Sequence, residues 1–244
     1  MVLDECPSSP LLQLLRYSPN LVELSIQNMN LLPDATEALV FPHLRRLSLG
    51  LENLESDDHI LACITAPALE SLVLMHMRMD LDQLVSFLQR SSPPLHKLQF
   101  DFFQMQQEGL PLDSDLLDRI LDACPTVTEL AIGSPYFHLI ERLSAIFTRS
   151  DPSTILPNLQ TLEFSMCHTE TFRDSYWNVL LPVLVARRTV RTLCIHREST
   201  DGWNPQNVFL DSFVSQTVLP VLKELEAGGL SFWFGTKDTN TFPS

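Results

Sequence analysis

The sequence predicts an α/β fold: about eight strand–helix repeats stacked into a solenoid, with a curved parallel sheet on the concave side and helices on the convex side. Three observations predict it. Leucine occupies 44 of 244 positions, a short leucine phrase recurs eight times, and segments with helical spacing separate the copies. A single unit of this kind cannot bury its own apolar stripe, so neighbouring units must stack.

The recurring phrase is Pro-x-Leu-x-x-Leu-x-apolar, and the steps between successive starts are 23, 25, 26, 32, 32, 31 and 32 residues. Its leucines alternate with other residues as in a half-buried strand, and a leading proline fits a position that donates no ladder hydrogen bond. Self-similarity at such a period is the signature of a solenoid. The copies begin at Pro19, Pro42, Pro67, Pro93, Pro125, Pro157, Arg188 and Pro220.

Segments with helical spacing lie between the copies and predict about one helix per repeat. In one of them, Leu81, Leu84, Val85 and Leu88 form a single apolar stripe. Acidic residues concentrate where these helices begin, which suits the helix dipole. The predicted helices cover residues 34–40, 57–64, 80–90, 113–124, 136–147, 174–187 and 206–219.

This pattern resembles that of leucine-rich repeat proteins over about residues 11–230, and the 32-residue steps resemble the ribonuclease-inhibitor-like and cysteine-containing subclasses. One position of the repeat departs from the family pattern. Three residues beyond the second strand leucine the family often carries Asn or Cys, and here only Cys167 conforms. More narrowly, the phrasing of the repeats, with Ala-Cys-Pro at residues 123–125, is similar to the repeat region of fungal F-box proteins.

The F-box resemblance implies a non-enzymatic protein-binding module that holds the substrate of a cullin-type ubiquitin ligase. The segment most similar to the start of an F-box is Leu32-Pro33-Asp34-Ala35. It falls between the first two repeats and predicts only a turn and a helix start. A cullin-ligase adaptor is therefore an expected partner only if an F-box precedes Met1. The alternative is a stand-alone leucine-rich repeat scaffold or inhibitor with no ubiquitin link.

Composition excludes several function classes. A formal net charge of −14 disfavours a nucleic-acid binder or a protein that docks on anionic membranes. The longest apolar stretch, Val179 to Ala186, is too short to span a bilayer, and no charged-then-apolar leader opens the chain. Five widely spaced cysteines fit neither a disulfide framework nor a paired-cysteine zinc site. We expect an intracellular monomer without cofactor or metal.

Catalytic motifs are missing from the sequence, which has no glycine-rich phosphate loop, no His-Glu-x-x-His and no Gly-x-Ser-x-Gly. Asp57-Asp58-His59 is the one tight cluster of acids with a histidine. It suits a metal or proton-relay site, but a helix N-terminus with a capping residue explains it more simply.

The predicted binding face consists of the outward-pointing residues beside the strand leucines, which a partner protein or peptide would contact. A separate basic cluster of Arg191, His196 and Arg197 predicts a site for a phosphorylated or acidic peptide. The residues of this face that we single out as candidates for partner binding are Glu23, Gln27, Arg46, Met75, Lys97, Asp101, Glu129, Glu163, His196, Glu224 and Glu226.

The C-terminal segment departs from the repeat. We predict one repeat domain over residues 1–230 and a cap or tail over residues 231–244. The tail opens with the aromatic run Ser231-Phe232-Trp233-Phe234-Gly235, for which a strand of a ninth unit is the alternative.

Overall fold

The computed structural model describes residues 2–4, 13–27, 38–50, 60–75, 81–101, 114–133, 135, 137–149, 154–166, 174–197, 214–236 and 239–240. The chain packs into two compact units, Met1–Val127 and Thr128–Ser244. The division into a domain over 1–230 and a cap or tail over 231–244 stays a prediction. Within the described ranges, no helix combines the length and the apolar character that crossing a membrane requires.

The first unit is organised by five parallel strands that pair in the order β1 (Val2–Asp4), β2 (Glu23–Gln27), β4 (Arg46–Gly50), β6 (Ser71–Met75) and β7 (Lys97–Asp101). Two short strands, β3 (Leu39–Val40) and β5 (Ile64–Thr65), form a separate parallel pair. The helices of this unit include α1 (Ile60–Cys63), α2 (Leu81–Ser91) and α3 (Ser114–Asp122).

In the second unit, β8 (Glu129–Gly133), β9 (Thr161–Met166), β10 (Thr192–Arg197) and β11 (Ser231–Thr236) pair in parallel, and β12 (Thr239–Asn240) runs antiparallel to β11. Its helices include α4 (Phe137–Arg149), α5 (Asp174–Ala186) and α6 (Leu219–Ala227). Helices α4 and α5 pack together, and the Ser144 hydroxyl donates a 2.6 Å hydrogen bond to the Val179 carbonyl. Both units are therefore α/β, as predicted.

Seven of the eight copies of the leucine phrase form a strand that begins four residues after the start of the copy. The second and fourth residues of each strand are buried, as in Leu24 and Ile26 of β2 or Leu162 and Phe164 of β9. Each such side chain contributes on the order of 1.5–3 kcal/mol through its transfer from water. The predicted alternation of inward and outward residues is confirmed at these strands.

The eighth copy is not a strand, and this prediction is wrong. Residues 219–227 form α6, because Leu, Lys, Glu and Ala are strong helix formers and Pro220 suits the first turn of a helix. The helix ends in a Schellman motif: Gly229 has a φ of 99°, and the Leu230 N–H donates to the Leu225 carbonyl at 3.0 Å. The strand follows as β11, whose aromatic residues favour extended backbone.

Two predicted helices also differ from the structure. Residues 39–40, placed in a helix over 34–40, belong to β3, and residues 34–37 lie outside the described residues. Of the helix placed over 206–219, residues 206–213 also lie outside the described residues, residues 214–218 are not helical, and residue 219 begins α6. Of the helix predicted over 57–64, residues 57–59 lie outside the described residues, residues 60–63 form α1, and residue 64 belongs to β5. The remaining four predicted helices agree with the structure to within two residues at each end.

Candidate protein-binding surface

The strand register of the first unit aligns its outward residues into rows across the sheet. Glu23 lies beside Arg46, which lies beside Ser71, which lies beside Lys97. The next outward row is Ser25, Ser48, Val73 and Gln99. The polar residues predicted for the binding face are therefore on one surface of this unit.

The outward residues of the first two full-length strands are the most accessible. Glu23, Gln27 and Arg46 are exposed, and an Arg46 Nη1 atom lies 3.7 Å from the Glu23 carboxylate, with 69% and 58% of the two side chains exposed. Because water screens such a pair, it holds its partners only weakly and leaves both side chains available to a ligand.

The outward residues of the next two strands are partly covered. Met75 and Lys97 are half-buried, and the Gln99 amide lies 3.5 Å from the Met75 sulfur. Asp101, predicted on the open face, is buried, with 6% of its surface exposed. Asp101 is the last residue of β7. The outward residues of β6 and β7 are therefore less accessible than those of β2 and β4.

In the second unit the corresponding rows are largely buried. The middle row holds Ala131, Glu163, Cys194 and Trp233, and the next holds Gly133, Ser165, His196 and Gly235. Ala131, Ser165 and His196 are all less than 10% exposed. The strand alternation predicted outward positions correctly, but an outward position in this unit is not always a solvent-exposed one.

One acid–histidine pair lies within this buried region. His196 Nε2 is 3.6 Å from Glu163 Oε1, with only 11% and 17% of the two side chains exposed. Both residues were predicted for the binding face, and the structure brings them together on neighbouring strands. Their burial makes them part of the packing of the unit rather than of its accessible surface.

Cys194 lies beside Glu163 in the strand register, but it is not an activated nucleophile. Burial, together with the negative charges of Glu163 and Glu129, raises the pKa of its thiol to about 11. Cys124 is fully buried, and burial raises the pKa of its thiol to about 12. The thiolate is the reactive form of cysteine, so near neutral pH both residues are inert thiols.

Two other predicted groups are not assembled as expected. Glu224 and Glu226 lie on α6 instead of a strand face, for the helix propensity described above. In the basic cluster, Arg191 precedes β10 whereas His196 is the fifth residue of that strand, so roughly 17 Å of extended chain separates them. Arg197 is the last residue of β10, and its side chain is outside the described residues.

The structure also shows two buried or anchored arginines that the sequence did not single out as important. In the first unit, Arg90 donates to the Leu61 and Ile64 carbonyls at 2.6 and 2.7 Å. In the second unit, Arg187 is 1% exposed, and its Nη1 atom donates to the Ile155 carbonyl at 2.5 Å. Arg90 lies in the last turn of α2 and Arg187 follows directly after α5, positions at which a cation also suits the helix dipole.

No group of three or more His, Cys, Asp or Glu side chains in the described ranges is arranged to hold a metal ion. The cluster Asp57-Asp58-His59 lies outside the described residues. The exposed strand residues described above form a polar surface of mixed charge.

A scan against protein-family models finds no match, and a search of the curated proteins finds none either. Among solved structures, the chain is similar to one described as "Crystal structure of TLR13-ssRNA13 complex", with 15% sequence identity and a TM-score of 0.48. The similarity covers 93% of this chain but 30% of that one, so this chain spans less than a third of its structural neighbour.

Proposed function

We propose that this chain is a leucine-rich repeat module that binds another protein through the outward strand face of its first unit. The observation that carries the proposal is the parallel register that places Glu23, Arg46, Ser71 and Lys97 in one row. These side chains have no part in the apolar core, which is formed by the alternate residues of the same strands. The residues of this row can therefore be suited to a particular partner without loss of the fold.

The size of this face indicates the size of the partner. Strands β2, β4, β6 and β7 span about 20 Å across the sheet, and five residues extend about 16 Å along each strand. Such an area is smaller than the roughly 800 Å² that each partner contributes to a standard interface. A peptide segment or a single loop of a folded protein is the ligand that it fits.

Charge exchange within an ion pair tests this surface. The double variant Glu23→Arg/Arg46→Glu exchanges the two charges of the face without altering the net charge. Arg45→Glu/Glu70→Arg is the matched control, because Arg45 and Glu70 also form an exposed pair, at 3.1 Å, but precede their strands instead of lying on them. We expect proteins captured from a native extract by the wild type to be lost with the face variant and retained with the control.

Equal capture by the wild type and the face variant would contradict the proposal. Cross-linking of a captured partner followed by mass spectrometry locates the contact directly. A partner that cross-links only to the second unit would likewise contradict it, because Lys97 is the lysine of the proposed face.

A narrower proposal is that the module recognises substrates for an F-box-type ubiquitin ligase inside the cell. It is supported by the similarity of the repeat phrasing to fungal F-box proteins, and Cys63, Cys124 and Cys194, which form no disulfide, agree with a reducing compartment. Co-purification of the full gene product with a cullin adaptor tests it. If no adaptor is recovered while other partners are, the stand-alone scaffold or inhibitor is the better description.

A further inference from the structure

A pocket of about 480 Å³ lies in the second unit, at the turns that lead into β10 and β11. Its volume falls within the range of about 300–1,000 Å³ that is typical of ligand sites. The apolar residues Leu184, Val190, Leu225 and Leu230 line it, together with two arginines at positions 188 and 191.

The pocket exists because one repeat lacks a side chain that the others have. The second residue before each of β4, β6, β7, β9 and β10 is a buried Leu or Val that anchors the turn. Before β11 this position is Gly229, and a Cβ atom built there would meet no atom within 4 Å. The anchoring residues before those five strands are Leu44, Leu69, Leu95, Leu159 and Val190, each no more than 5% exposed.

The turn itself is also shorter at this place. Five residues, 187–191, connect α5 to β10, whereas only residues 228–230 connect α6 to β11. In the preceding repeat the N–H groups of both Arg191 and Thr192 donate to the Gln160 carbonyl. In the last repeat only Ser231 donates to the equivalent carbonyl, of Arg191, because the Leu230 N–H serves the end of α6.

Charge decides what this pocket can hold. Arg188 and Arg191 are exposed at its rim, and neither guanidinium forms an ion pair with any residue that the structure describes. Glu224 is the acidic residue among the lining side chains, so two positive charges face one negative charge. In a protein with a net charge of −14, this is a local positive site beside an apolar pocket.

We propose that the pocket binds an acidic peptide segment of a partner protein, whose leucine or other aliphatic side chain occupies the space beside Gly229 while flanking carboxylates pair with Arg188 and Arg191. Arginine pairs well with carboxylates because its planar group can donate two parallel hydrogen bonds. This site is separate from the strand face of the first unit, and its test does not depend on that face.

Fluorescence anisotropy with a labelled peptide, Gly-Asp-Glu-Leu-Glu-Asp-Gly, tests the pocket at low ionic strength. We expect saturable binding to the wild type. Replacement of the peptide leucine by serine should weaken binding by about tenfold or more, because the lost apolar burial corresponds to at least one power of ten in Kd. A peptide with lysines in place of its acids should not bind.

Three variants of the protein locate the binding. Arg191→Glu should weaken it about tenfold, whereas Arg45→Glu, which makes the same charge change one residue before β4, should leave it within about twofold. Val185→Trp places a large ring at the rim of the pocket, where Val185 is 57% exposed, and should abolish binding without unfolding the protein. Far-UV circular dichroism confirms that each variant is folded.

Absence of saturable binding to the wild type would overturn the proposal, as would an equal loss with Arg45→Glu and Arg191→Glu. A chain shortened to end at Asn240 that bound the peptide more tightly would show that the occupant is the chain's own C-terminus. The variant Glu23→Arg/Arg46→Glu should bind the peptide normally, so failure of the pocket and failure of the strand face give different results.

Discussion

Two acid–base side-chain pairs of nearly equal length show how differently the two units bury their strand faces. Arg46 and Glu23 lie 3.7 Å apart in the first unit with more than half of each side chain exposed, whereas His196 and Glu163 lie 3.6 Å apart in the second with less than a fifth exposed. Removal from water strengthens electrostatic interactions and makes an unpaired charge expensive. Distance alone therefore does not indicate what a pair contributes.

The helix-end arginines show the same contrast. Arg90 of the first unit is exposed and makes three hydrogen bonds, the third to the Thr65 hydroxyl at 3.1 Å. Arg187 of the second unit is buried over the Phe147 ring, 4.5 Å from its centroid, and its Nε and Nη2 atoms have no hydrogen-bond partner among the described residues. Burial lowers the pKa of the Arg187 guanidinium, because it disfavours the charged form.

Substitutions in the apolar core should destabilise the two units to a similar extent. They have the largest expected effect on stability. Leu47 and Leu130 are each 1% exposed and occupy the second position of their strands. We expect Leu47→Asp and Leu130→Asp each to destabilise the protein by more than about 3 kcal/mol, because a charge is buried without a partner. Urea denaturation measures this loss. A soluble Leu130→Asp protein with an unchanged thermal midpoint would contradict the strand register.

The buried arginine should be more sensitive than the exposed one. Arg187→Ala removes the bonds to the Ile155 and Leu156 carbonyls and leaves a cavity, so we expect a loss of about 3 kcal/mol. Arg187→Met fills the same space without unpaired N–H groups and should cost about 1 kcal/mol or less. Arg90→Ala should cost about 1–2 kcal/mol. Equal losses for Arg187→Ala and Arg187→Met would show that the polar interactions of the guanidinium, and not the space it fills, account for its contribution.

Double-mutant cycles compare these two side-chain pairs directly. For Glu163→Gln and His196→Gln in the second unit we expect a coupling energy of about 1–2 kcal/mol, because both groups are shielded from water. For Glu23→Gln and Arg46→Gln in the first unit we expect less than about 0.5 kcal/mol, and this should fall further with added salt. Similar couplings in both cycles would contradict the role assigned to burial.

The smallest effect that we predict is a change in the reactivity of Cys194. It reports on one position of the strand face of the second unit. With a pKa of about 11, Cys194 carries roughly 0.1% thiolate at pH 8, so iodoacetamide should modify it about 100-fold more slowly than an unfolded cysteine. Glu163→Gln removes one of the charges that raise this pKa and should accelerate the reaction. The raised pKa also means that the contribution of the protonated thiol to stability is present below about pH 8.5 and is lost as the pH rises through about 11. Peptide mapping by mass spectrometry at several pH values measures the modification rate.

Much of the architecture was predictable because it depends on local sequence. The phrase around Leu24, Leu72 or Leu162 repeats the period-two alternation that a strand requires, and seven of eight strands follow from it. Helices such as α2 and α4 were predictable because their apolar residues recur at helical spacing. The eighth copy failed because Pro220 and its leucines satisfy the strand phrase and the helix pattern equally well, and only propensity separates them.

Which strand residues point inward follows from the sequence, because alternation is a property of a single strand. Which outward residues meet water depends on the segments packed around them, and therefore on the tertiary structure. It left Arg46 exposed and buried His196, although both are outward strand residues. It also left space at Gly229, because a pocket arises from the difference between neighbouring repeats and not from any one of them.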